Sequence, residues 1–274
     1  MVVLWAGYAF SRDYSAPRGH MYTIEDVTHT LRTGTPDHEH KDMQPATCWA
    51  CKSPDVPRMM HEVGIENFYK ASWSQFGSEI VNPVGCADCH DPKTMNLTIT
   101  RPALIEAFER QGKDITKATP QEMRSLVCAQ CHVEYFFKGD GKYLTFPWDG
   151  GMTVESMEEY YDNANYTDWV HHLSKAPMLK AQHPDYEIFL LGPHAQRGLS
   201  CADCHMPYIS EGGIKYSNHQ VMSPLKNVSS TCQTCHRDSE ENLKNYVYQY
   251  QDKALEIRNR IEVELAKAHV MAKA

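Results

Sequence analysis

Cys48-Trp49-Ala50-Cys51-Lys52 is the stretch that decides how this chain is read. It has the form of a covalent haem-attachment pattern, Cys-x-x-Cys followed by a ligand residue, with lysine where histidine is usual. Four further copies keep the histidine: Cys86, Cys89 and His90; Cys128, Cys131 and His132; Cys201, Cys204 and His205; Cys232, Cys235 and His236. Two thiols one short turn apart capture the two vinyl groups of a porphyrin, and the adjacent side chain reaches the iron. Lysine can serve there only as a neutral amine, so its pKa must fall through desolvation and metal bonding. The first site is therefore chemically unlike the other four.

All ten cysteines lie in these five motifs, which leaves none for a disulfide. Paired Cys-x-x-Cys units also build tetrahedral zinc sites, but five units do not divide into such sites. Nor does zinc require a histidine or lysine directly after the second cysteine. The 274 residues make one large domain or two small ones. A mean hydropathy of −0.55 suits a chain whose core is filled largely by porphyrin. The net charge of −8, with acids and bases interspersed and no basic run, argues against nucleic acid as a partner. No apolar run approaches the length of a membrane span. The opening Met1-Val2-Val3-Leu4-Trp5-Ala6-Gly7 lacks the basic flank and cleavage site of a signal peptide. Haem c is attached outside the cytoplasm as a rule, so the expected location is periplasmic and the natural chain is expected to begin earlier.

In chain order, a helix is expected from Thr23, with Asp26 in capping-box position and Ile24, Val27 and Leu31 as its apolar stripe, stopping at Gly34 and Pro36. Arg32 would then lie in the last turn, where the helix dipole alone favours a cation. His38 and His40 read as solvated loop residues. Phe68, Trp73 and Phe76 suit packing on haem edges, and Arg101-Pro102 opens a second helix carrying Leu104 and Phe108. After His132 come Val133-Glu134-Tyr135-Phe136-Phe137, a carboxylate among aromatics. Lys138 to Gly151 reads as turns, and Val154 to Tyr161 as helix. In Lys180-Ala181-Gln182-His183-Pro184 the proline keeps His183 out of a helix. Motif starts at 48, 86, 128, 201 and 232 share no period, so this is not a repeat array. From Asp238 onward there is neither glycine nor proline, and Leu243, Val247, Tyr250, Ala254, Ile257, Ile261, Leu265 and Ala268 step by three or four. One continuous helix, capped by Asp238 and Glu241, is expected there. The whole reads as mainly α with little β: a multihaem cytochrome c fold, with haems filling the core of residues 1–237 and a long C-terminal helix over 238–274.

Closely spaced haems form a chain of redox centres, most of them held by histidine on both faces. Four of the 15 histidines belong to motifs, which leaves eleven as candidate distal ligands. His20, His194 and His219 stand out because each sits beside turn or loop residues that can aim a ring at a metal. His29, His38, His40, His61, His171, His172, His183 and His269 complete the set.

One lysine motif followed by four histidine motifs resembles the ammonia-forming cytochrome c nitrite reductases, the pentahaem enzymes of nitrite ammonification. Local words agree: Pro17-Arg18-Gly19-His20, Thr30-Leu31-Arg32-Thr33-Gly34, Cys48-Trp49 through Asp55, His132-Val133-Glu134-Tyr135, and Lys180 through Pro184. The resemblance spans essentially the whole sequence. It implies that the Lys52-ligated haem is the active site, its open face surrounded by Arg32, Tyr135 and His183. Arg32 would attract the anion, His183 would donate protons, and Tyr135 would orient or donate. Reduction of nitrite to ammonium takes six electrons and eight protons, the reason for wiring one reactive haem to four others.

The same resemblance implies a calcium ion held by the side chains of Glu134 and Gln182 and the carbonyls of Tyr135 and Lys180, all oxygen donors as calcium prefers. It assigns His20, His194 and His219 as distal ligands of the haems at His132, His236 and His90. The ligand for the haem at His205 lies in a C-terminal region of the family absent here. The chain is accordingly expected to be an internal fragment, with an open distal face at His205 unless His269, His171 or His172 substitutes. A quinol-linked or membrane-anchored cytochrome would supply electrons, and a homodimer would form through the C-terminal helices. Two other functions fit the motifs: a non-catalytic electron-transfer cytochrome in which Lys52 tunes a potential, and a related multihaem reductase of hydroxylamine, sulfite or tetrathionate. Five complete motifs predict five covalent haems per matured chain in a pyridine haemochrome assay; four or fewer would overturn the reading of the motifs.

Overall fold

The computed structural model describes residues 18–28, 30, 33 and 44–273, which fall into two compact units. One comprises the described residues up to Val170 together with Pro177–Leu190; the other comprises His171–Ala176 and residues 191–273. As expected, helix dominates, and strands occur only in small antiparallel pairs.

The first unit opens with a 3₁₀ turn, His20–Tyr22, leading into α1 (Thr23–Thr28). The expected capping box is not formed. Thr23 Oγ1 instead donates towards the carbonyls of His20 (3.0 Å) and Lys52 (2.9 Å), tying the helix start to the lysine motif. Asp26 accepts from the backbone and side chain of Arg18. The helix is also shorter than its apolar stripe suggests, because the hydroxyls of Thr30 and Thr33 turn back onto the Val27 carbonyl. Arg32, His29, His38 and His40 lie outside the described residues.

Helices α2 (Asp55–Val63) and α3 (Ile65–Lys70) follow the lysine motif, and α4 (Cys86–Cys89) carries the second motif. α5 (Pro102–Arg110) starts at Arg101-Pro102 as expected: proline at the first helical position costs no hydrogen bond. α6 (Pro120–Ala129) has a complete capping box between Thr119 and Glu122 and runs into the third motif. β1 (Phe136–Lys138) and β2 (Tyr143–Thr145) form a hairpin that runs from the aromatic stretch after the third motif into the segment Lys138 to Gly151 expected to be turns. α7 (Val154–Asn163), the short pair β3 (Trp169–Val170) and β4 (Pro177–Met178), and α8 (Asp185–Leu191) complete the sequence of elements. The apolar core holds Val56, Met60, Phe68, Trp73, Phe76 and Leu104, all buried. Trp49 is fully enclosed, stacked on Trp73 at 3.4 Å between ring centres while its Nε1 donates to the Trp73 carbonyl. Phe68, Trp73 and Phe76 therefore pack on protein.

In the second unit, α9 (Pro193–Gln196) precedes α10 (Cys201–His205), the fourth motif. β5 (Tyr208–Glu211) and β6 (Ile214–Ser217) pair across Gly212-Gly213, whose φ values of 56° and 79° are those a two-residue hairpin turn of this hand requires. α11 (Glu240–Lys273) is one uninterrupted helix of 34 residues, about 51 Å long at 1.5 Å per residue. Its cap is Ser239, whose hydroxyl accepts from the Asn242 amide, one residue later than the capping box read from Asp238. Leu243 is buried, whereas Val247, Tyr250, Ile257, Ile261 and Leu265 of the same apolar series are exposed. Among the described residues no helix is long and apolar enough to cross a membrane.

Candidate functional site

Each attachment motif lies on or at the end of a helical turn: the 3₁₀ segment Ala46–Cys51, α4, the end of α6, α10, and the 3₁₀ turn Cys232–Thr234. Residues three apart on such a turn share a face, so the two thiols of each motif are presented together. None of the ten cysteines is paired in a disulfide. In the motifs ending at His90, His132 and His236 the histidine amide donates to the carbonyl of the first cysteine, four residues back. The Lys52 amide instead bonds Trp49, three residues back, so the lysine motif is wound more tightly.

The imidazoles carry a second regularity. Nδ1 of His90 bonds the Met95 carbonyl (2.7 Å), Nδ1 of His205 the Met222 carbonyl (3.0 Å) and Nδ1 of His219 the Ser217 carbonyl (2.9 Å). A carbonyl only accepts, so each Nδ1 carries the proton and each Nε2 keeps its lone pair, the tautomer a metal ligand needs. His132 Nδ1 does the same to the Asp185 carboxylate at 3.0 Å. His171 is the opposite case: its Nδ1 accepts from the Ser174 amide, which in a neutral ring puts the proton on Nε2.

Two pairs of rings face each other. His20 and His132 have centres 6.3 Å apart, and His194 and His236 have centres 6.0 Å apart. Two imidazoles on opposite sides of a metal at the usual nitrogen distance of about 2 Å would have ring centres about 6 Å apart. Thiol pairs on one face, Nε2 lone pairs and this spacing fit haem c. His219 and His90 belong to different units. His269 faces His171 at 6.1 Å, not a motif histidine.

Tyr135 and His183 are brought together, their ring centres 5.6 Å apart, with His183 also 5.9 Å from His132. The His183 ring keeps an exposed face. Protein atoms crowded around it, with the His132 ring as the next influence, nevertheless pull its pKa down to about 4. The water-exposed face moderates that drop, but the ring is neutral at pH 7 in either case. Pro184 holds His183 just outside α8, as expected.

Glu134 is the hub of this region. Its Oε1 accepts from the Tyr161 hydroxyl (2.9 Å) and its Oε2 from the Gln182 amide (2.6 Å), joining the Glu134-Tyr135 segment to Lys180–Gln182. The Lys180 amide donates to Asp168 at 2.6 Å. Burial, opposed by the Gln182 and Tyr161 hydrogen bonds but reinforced by the nearby Glu187 and Asp168 charges, pushes Glu134 up to about 7. Glu187, 1 % exposed, uses Oε1 to accept from the Glu134 amide and from Trp148 Nε1, both at 2.8 Å. Its Oε2 is buried without a hydrogen-bond partner among the described residues. Among the described residues no three acidic, histidine or cysteine side chains are grouped to hold a metal ion by themselves; the oxygen donors present, two buried carboxylates with one orphaned oxygen, are of the kind that calcium prefers, and a cation would need further oxygens from the backbone or from amide side chains.

Glu187, Asp168 and Tyr161 were not singled out in the sequence. The one local signal was an acid inside the apolar run Tyr186-Glu187-Ile188-Phe189-Leu190-Leu191.

Fold and donor set together define a multihaem c-type cytochrome. The chain belongs to the cytochrome c552 family, whose model matches residues 1–274. It is 71% identical over 273 residues to cytochrome c-552 of Bacteroides thetaiotaomicron, covering 100% of this chain and 55% of that protein. It is 68% identical to cytochrome c-552 of Porphyromonas gingivalis, covering 99% and 55%. Among solved structures it is similar to the catalytic subunit of cytochrome c nitrite reductase from Desulfovibrio desulfuricans, with a TM-score of 0.83 and 39% identity over 91% of this chain and 56% of that one. That structure is described for its two calcium sites. The chain thus spans about half the length of the curated relatives it matches.

Replacing Glu187 with leucine would strand the Glu134 amide and the Trp148 indole N–H, at a cost of about 1–3 kcal/mol for each buried donor. Glu187→Leu should therefore lower the denaturant midpoint markedly, while a midpoint within error of the parent protein would contradict the hub role.

Proposed function

We propose that this chain is the haem-bearing part of a reductase that converts nitrite to ammonium, with the site at Lys52 as the place of reaction. The balance is NO₂⁻ + 6 e⁻ + 8 H⁺ → NH₄⁺ + 2 H₂O. The observation that carries the proposal is the meeting of Tyr135 and His183, at 5.6 Å, in the same unit as the one motif that ends in lysine.

In this reading Cys48, Cys51 and Lys52 hold the reactive haem, and the other four motifs hold the relay. His20, His194 and His219 are distal ligands for the haems at His132, His236 and His90. When bound, the haems deliver electrons singly and offer one open coordination position to the anion. The chain supplies the rest. Arg32, always charged, draws nitrite in and balances negative charge on its oxygens. His183, neutral at pH 7, receives a proton from solvent along its exposed face and passes it to a departing oxygen. Tyr135 orients that oxygen through its hydroxyl. Glu134, Tyr135, Lys180 and Gln182 would hold calcium, and the ion would brace the two segments bearing Tyr135 and His183. Glu187, through the Glu134 amide, braces the same junction. Residues 1–237 act as the catalytic part, and 238–274 open a dimerisation helix whose exposed apolar series meets a second copy. The natural protein works in the periplasm and takes electrons from a quinol-linked or membrane-anchored cytochrome.

Ammonium formation from nitrite with reduced viologen tests this directly; a haem-loaded protein that accepts electrons yet yields no ammonium would indicate an electron-transfer cytochrome. Arg32→Ala, Tyr135→Phe and His183→Ala should each lower turnover by about 100-fold while haem content per chain stays near that of the parent, since each removes one positioned donor. Normal turnover in all three would refute the assignment. Stripping calcium with a chelator should depress activity, and adding calcium should restore it; full activity in protein shown by elemental analysis to be calcium-free would remove the ion from the mechanism.

A further inference from the structure

We propose that Arg101 is a positioning residue that locks the lysine motif against the second and third motifs, and that its ion pair with Asp88 balances the charge beside them. The inference rests on the reading of Cys48–Lys52 as the reactive site.

Arg101 is 2 % exposed, and its guanidinium is spread over four acceptors. Nε donates to the Ala50 carbonyl at 2.6 Å and Nη2 to the Ser53 carbonyl at 2.8 Å, so the backbone on either side of Lys52 is held by one rigid group. Nη2 also meets Asp88 Oδ1, a buried ion pair, and Nη1 donates to Thr100 Oγ1. Gln130 completes the arrangement: its Oε1 accepts from the amides of Thr100 and Arg101, and its Nε2 donates to the Asp88 carbonyl at 3.0 Å. Ala50, Asp88 and Gln130 occupy the same position in their motifs, immediately before the second cysteine. One buried arginine therefore reaches the equivalent point of three attachment turns.

A plain helix start does not need this. Pro102 already sets the first turn of α5, and Arg101 places its charge on the motifs instead of on the helix. Arginine suits the task because its planar fork holds several acceptors at fixed angles and never loses its proton. Its positive charge is matched by Asp88, so the pair is neutral as a whole while each member sits beside a different motif. Removing either member unbalances the charge next to the metal sites. Loss of a buried cation favours the oxidised metal and lowers its reduction potential; loss of a buried anion does the reverse.

The test is a spectroscopic redox titration of the haem-loaded protein, following the high-spin signal of the lysine-ligated centre. Arg101→Gln should shift its potential downward and Asp88→Asn upward. Arg101→Lys, which keeps the charge but loses the fork, should leave the potential near the parent value and still lower turnover by about tenfold, with KM for nitrite changed less than about twofold, because the site is displaced and not weakened in binding. Should Arg101→Gln assemble too few haems to titrate, Asp88→Asn and Arg101→Lys decide the matter by the same criteria. Potentials that stay put in the two charge-removing variants, or shift in the same direction in both, overturn the clamp, as does unchanged turnover in Arg101→Lys. A parent protein without a high-spin lysine-ligated centre would overturn the reading of Lys52 itself, which separates the two failures.

Discussion

An imidazole can bind a metal only through a nitrogen that has no proton, and much of the local architecture meets that one requirement. The loop after the second motif folds back so that the Met95 carbonyl reaches His90, and the strand pair β5–β6 leads into the segment whose Met222 carbonyl reaches His205. His132 obtains its acceptor from Asp185, 53 residues away, the only one of these contacts to use a charged partner. Asp185 also opens α8, whose first turn carries Glu187 as well. The orientation of one ring and the anchoring of the acidic hub therefore come from the same short helix.

That hub shows how little regular structure is needed to fix a site when buried polar groups are shared. Glu187 accepts from the segment after the third motif and from Trp148, while Glu134 accepts from α7 and from the segment before His183. Four stretches of chain meet through two carboxylates. The arrangement is costly without a cation and strongly directional with one.

What could be read from the sequence was whatever depends on neighbours in the chain. The five motifs, the long final helix, the helix opened by Pro102 and the loop placement of His183 all follow from local chemistry, and the structure agrees with each. Caps were less legible: Ser239 and not Asp238 caps the final helix, and Thr23 turns towards Lys52 instead of Asp26. Both differences arise where a tertiary acceptor or a one-residue shift competes with an equally plausible local bond. Phe68, Trp73 and Phe76 suggested haem edges but form an aromatic core of their own, since composition marks a side chain as buried without naming what covers it. Arg101 and Glu187 were invisible for the opposite reason. Their roles lie mainly in contacts across 13 to 53 positions of chain.

The cysteines carry one more consequence. Cys51 and Cys131, from different motifs, are close neighbours in the folded chain, and Cys131 is the largest of the influences that hold the Cys51 thiol below its ordinary pKa. In an oxidising compartment two such neighbours are poised to couple into a cross-link, and a cross-linked pair could no longer be alkylated by porphyrin vinyl groups. Attachment of a porphyrin at either sulfur forecloses that cross-link, so a loaded motif protects its neighbour as well.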